Sequence, residues 1–146
     1  MERVLVVFQA TAAKTESLAL AFGLGAVEGG ALIRLRHLNS DGPSELEHQG
    51  YTTPKDTDLE WAQVIGLALE SEAPQKSLED FFNQLDEARV AQNKTVYVFG
   101  GATEVALVAH ARQLLKQLGA VLVESESEVA DADIARAVGR QVALQA

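Results

Sequence analysis

The chain has 146 residues, a length suited to one domain, 1–146, with a substantial core. Hydrophobic residues at 47% fit a globular protein, and a formal net charge of −9 argues against nucleic acid and anionic membranes, which require a basic face. There are no cysteines, which excludes disulfides, iron–sulfur clusters, thiolate zinc sites and cysteine nucleophiles.

The first apolar run, Val4–Phe8 (VLVVF), predicts a strand buried on both faces. It is too short for the core of a signal peptide, and no run reaches the length of a membrane span, so a cytoplasmic location is expected. Leu18, Ala21, Phe22 and Gly25 then recur along one helix face, with Thr15 as the expected N-cap. Ala31–Leu35 (ALIRL) alternates and reads as an edge-like strand. Residues 39–58 are polar, contain Gly42, Pro43, Gly50 and Pro54, and predict a long surface loop, with a short helical turn at Thr57–Ala62.

Val64–Leu69 (VIGLAL) predicts a third strand. After the loop ESEAPQ, Ser77 with Asp80 resembles a capping box, opening a helix whose apolar face is Leu78, Phe81, Phe82 and Leu85. Thr95–Phe99 (TVYVF) is the fourth strand, followed by the loop GGATE. Leu107, Ala111, Leu114, Leu115 and Leu118 mark the next helix, and Gly119 stands where a helix ends. Ala120–Val123 is a fifth strand, and Asp131 or Asp133 caps a last helix with Ile134, Ala137, Val138 and Val142 inward.

Strand–helix alternation of this kind implies a parallel sheet with helices on both faces, in the order 2-1-3-4-5. Ligands of such folds bind beyond the carboxyl ends of the strands, where the order reverses. The loops there are Gln9–Lys14, Glu70–Gln75 and Gly100–Glu104. A phosphoacceptor receiver would need acidic residues where Phe8, Gln9 and Leu69 stand, and no GxxxxGK[ST] loop occurs. The one GxG, Gly23–Gly25, lies late in a helix and is not a nucleotide motif. His37, His48 and His110 are scattered without metal-ligand spacing, while Trp61 and Tyr97 read as packing residues.

VVFQATAAKTESLALAFGLGA, DLEWAQVIGLAL, LEDFFNQL, VYVFGGATEVALVAHARQLLKQLGAVLVE and ADIARAVGRQVA together resemble the flavodoxin-like superfamily. The likeness is closest to its flavodoxin and NAD(P)H:quinone oxidoreductase (Trp-repressor-binding-protein type) branch. It implies a doubly wound three-layer sandwich, FMN as cofactor, a redox partner or quinone substrate, and a homodimer or homotetramer.

The resemblance also assigns the loops. In the family the first loop wraps the FMN phosphate with hydroxyls and backbone N–H groups. Here Ala10 stands at the family serine, Ala13 at the glycine and Thr15 at the final threonine, with Thr11, Ala12 and Lys14 between them. The second loop, with Leu69, Glu70 and Ser71, lacks the aromatic and has its proline displaced to Pro74, and Glu70 and Glu72 bring charge where the ring would sit. The third, Gly100, Gly101, Ala102 and Thr103, keeps its glycines and lacks an aromatic. Two readings follow: a flavoprotein whose FMN site is eroded and weak, or a flavodoxin-like binding module that has lost flavin and redox activity.

Overall fold

A computed structural model describes residues 2–9, 13–38, 52–71, 73, 75–89, 92, 94–123 and 131–144. Ala10, Thr11, Ala12, His48, Glu72, Pro74, most of the 39–58 loop and most of the acidic run at 124–133 lie outside the described residues.

The elements are β1 (Arg3–Phe8), α1 (Ala13–Glu28), β2 (Leu32–His37), α2 (Asp56–Trp61), β3 (Val64–Leu69), α3 (Gln75–Ala88), β4 (Thr95–Gly100), a 3-10 turn (Ala102–Glu104), α4 (Val105–Gln117), β5 (Val121–Leu122) and α5 (Ala132–Leu144). The strands form one five-stranded sheet in the order β2-β1-β3-β4-β5. Every pairing is parallel, with Phe8 level with Ala68 and Leu69 level with Gly100. The expected sheet and its order are observed.

Strand pleating divides the core. Val4, Val6 and Phe8 point to one face, where Phe22 of α1 and Val138 and Val142 of α5 cover them. Leu5 and Val7 point to the other, under Leu59, Leu78, Phe81, Leu85, Val108 and Leu115. Tyr97 is 2% exposed, its ring stacked on Phe99 and Phe22 at centroid distances of 4.9 and 5.7 Å, a packing residue as expected.

Three local expectations change. Thr15 does not cap α1: the helix begins at Ala13, and Thr15 sits buried inside its first turn. Ser77 likewise lies within α3, which begins at Gln75. Ala137 is exposed on α5, and Ala135 and Gly139 face inward instead. Asp131 is the cap of α5, its Oδ1 accepting the Ile134 N–H at 2.8 Å. Gly119 ends α4 as expected. Its φ of +93° lets the Ala120 N–H return to the Leu115 carbonyl at 3.1 Å, the Schellman closure.

Candidate functional site

The carboxyl ends of β1, β3 and β4 lie side by side, so the three loops of interest start from one edge of the sheet. Gln9 follows β1 and is fully buried. Its backbone N–H bonds the Ala68 carbonyl at 2.9 Å, and its side-chain Oε1 accepts the Glu70 N–H at 3.1 Å. A glutamine at this strand end therefore ties the first loop to the second.

Glu70 is only 6% exposed. Its carboxylate turns toward α1, where Oε1 accepts the Thr15 hydroxyl hydrogen at 2.9 Å. The sequence sets Glu70 where a flavin ring would sit. It is buried instead against the first turn of α1, because its backbone is clamped. The Gln75 side-chain amide donates to the carbonyls of Glu70, Ser71 and Ala73 at 3.2, 3.2 and 2.7 Å.

A second carboxylate joins the second loop to the third. Glu104 is 7% exposed; its Oε2 accepts the Ser71 N–H at 2.7 Å and its Oε1 the Thr103 hydroxyl at 2.9 Å. The Glu104 side chain packs over Gly100, where a β-carbon would lie 2.8 Å from Glu104 Cβ. Lys14 reaches across from α1 and lies against Gly101, its Nζ 3.3 Å from the position a β-carbon would take there.

Of the residues assigned to the loops, Lys14, Thr15, Leu69, Glu70, Ser71, Gly100, Gly101 and Thr103 thus gather at one edge. Ala13 opens α1, and the backbone of Ala102 opens the 3-10 turn. Gln9, Gln75 and Glu104 were not singled out from sequence. A polar residue directly after a buried strand is the only signal that marks Gln9; the partners of Gln75 and Glu104 are set by the folded loops.

This open, doubly wound sheet with its loops at the carboxyl edge is the flavodoxin-like fold. Several solved structures share it across nearly their whole length. A flavodoxin from the domain Archaea matches with a TM-score of 0.71 at 15% identity, covering 98% of this chain and 97% of that one. A WrbA-like flavodoxin protein from Agrobacterium tumefaciens gives 0.70 at 19% identity, over 98% and 96%. Two-electron reduced flavodoxin from Megasphaera elsdenii gives 0.68 at 16%, over 94% and 98%. No family model matches the sequence, and no curated protein matches it.

The residues present can be tested against the FMN that the resemblance implies. A phosphate monoester set on the Thr15 hydroxyl would meet the Glu70 carboxylate already bonded there. Two anions about 4 Å apart at an effective dielectric of about 20 repel by about 4 kcal/mol. The segments Leu69–Gln75 and Gly100–Glu104 contain no aromatic side chain to stack on a ring. Two clefts found elsewhere, of about 260 Å³ between α3 and α4 and about 230 Å³ beside Leu38 and Phe81, are not lined by Thr15, Glu70 or Gly101. Among the described residues, the Thr15 hydroxyl is thus already taken by Glu70, and the second and third loops offer no ring to stack on a flavin.

Proposed function

We propose that this flavodoxin-like chain has given up flavin chemistry and serves as a non-redox binding or interaction module. The observation that carries the reading is the pair of buried carboxylates, Glu70 and Glu104, that stitch the three loops to one another. Each satisfies a donor, Thr15 Oγ1 or the Ser71 N–H, that a loop open to an anionic cofactor would present to it. On this reading a ligand that needs the Thr15 hydroxyl or the Ser71 N–H must first break these bonds.

The likeness to flavodoxins supports the other reading, an FMN-dependent electron carrier or NAD(P)H:quinone reductase with a weak site. The two separate in an FMN titration followed by quenching of flavin fluorescence, with Thr15→Ala and Lys14→Ala as controls. The expected result is no stoichiometric quenching and a Kd weaker than about 1 μM. Tight quenching that is lost in either control would restore the flavoprotein reading. We further propose assembly as a homodimer or homotetramer through the β2 edge of the sheet, where Leu32 is 52% exposed. Light scattering that reports a monomer at micromolar concentration would count against that contact.

A further inference from the structure

We propose that Glu70 is the resident anion at the first turn of α1: its carboxylate holds the place on the Thr15 hydroxyl that a phosphate group would otherwise take, and so keeps phosphate out. The proposal rests on the reading that this edge holds no FMN, and it names the group responsible.

The contact is tertiary. Thr15 and Glu70 stand 55 residues apart and meet because β1 and β3 are neighbours in the sheet. Both are 6% exposed, so the bond is shielded from solvent. The carboxylate faces the first turn of α1, where the helix dipole favours negative charge. Lys14 of the same turn leans over Gly101, adding a positive charge at the same edge. The backbone of Glu70 is fixed independently of its side chain, through its N–H to Gln9 and its carbonyl to Gln75. Shortening the side chain therefore removes the anion and its bond to Thr15, while the backbone bonds to Gln9 and Gln75 remain.

The test uses inorganic phosphate as the probe, titrated calorimetrically into the unmodified protein, Glu70→Ser, and Glu70→Ser combined with Thr15→Val. Glu70→Ser is expected to bind phosphate at least ~10-fold tighter than the unmodified protein, and the added Thr15→Val to abolish the gain. A folded Glu70→Ser with no gain overturns the proposal, as does a gain that survives Thr15→Val. If Glu70→Ser does not fold, Glu70→Gln replaces it, since the neutral amide keeps the bulk but removes the negative charge and yields the Thr15 hydroxyl to a phosphate. Phosphate should then raise the melting temperature of Glu70→Gln more than that of the unmodified protein, and equal shifts overturn the idea. Tight FMN binding by the unmodified protein would defeat the preceding reading. Absence of a phosphate gain defeats only this one.

Discussion

Asp58 shows how one side chain can hold an edge in place. Its carboxylate is 3% exposed and accepts Arg34 Nη1 at 3.1 Å and Arg36 Nε at 2.8 Å, both from edge strand β2. It also accepts the Lys55 N–H at 3.0 Å, which fastens the start of α2. Arg34 lies over the Trp61 ring at 4.3 Å, so α2 holds one face of β2 with both a charge and a ring. Burial alone would raise the Asp58 carboxyl, but the hydrogen bonds from Arg36 and Lys55 and the Arg36 charge outweigh it and hold the group below its ordinary value. A carboxyl lowered on folding contributes stability above its unfolded pKa and loses it as pH falls through the folded value. Asp58→Asn should therefore cost about 2–3 kcal/mol at neutral pH, moderated by the partly exposed arginines. The gap to the unmodified protein should narrow below about pH 4, as seen by urea denaturation at several pH values. A gap unchanged by acid would show that packing, not charge, sets the cost. The sequence DLEW marks an acidic and aromatic lead into β3, but nothing in it says that two arginines of the preceding strand converge on Asp58.

At the scale of elements, α1 and α5 approach so closely that glycine is required at two crossing points. A β-carbon on Gly25 would lie 1.9 Å from the Arg136 carbonyl oxygen, and one on Gly139 would lie 2.1 Å from that of Phe22. The obstacles are backbone atoms, so no rotamer change relieves them. Gly25→Ala or Gly139→Ala must push the helices apart and should lower stability by about 3 kcal/mol or more, despite alanine's better helix propensity. Thermal melts of the two variants check this, and a rise in melting temperature in either would refute the close crossing. Gly25, set aside with Gly23 as a nucleotide motif, thus has a packing role that periodicity alone does not reveal. Strand order and helix faces were legible because alternation and apolar spacing report burial directly. Helix starts were less so: Thr15 and Ser77 look like caps, but each helix begins earlier and both hydroxyls fall inside it. The candidate site was legible by position and not by contact. Loop sequences show that Glu70 stands after β3, whereas its bond to Thr15 depends on which strands become neighbours.

For the molecule as a whole, the proposed reading implies a loop edge that needs no cofactor to hold it together. Both faces of the sheet are covered by the chain's own helices, and the carboxyl edge is bridged by Gln9, Glu70 and Glu104. A ligand that binds only the folded state stabilises it by an amount fixed by concentration over Kd. At 1 mM FMN, a site with a Kd of about 1 μM would contribute about 4 kcal/mol. For a chain of this size each kcal/mol moves the melting temperature by roughly 2–4 °C, so such a site would give a shift of about 8–16 °C. The expectation here is a shift below about 1 °C, because FMN gains nothing until the Thr15–Glu70 and Ser71–Glu104 bonds are broken. The measurement is a calorimetric scan with and without FMN, with riboflavin as a control. A large shift with FMN and none with riboflavin would mean that the phosphate end still binds and that Glu70 swings aside for it. A large shift with both would place the affinity at the ring, where the loops carry no aromatic to supply it.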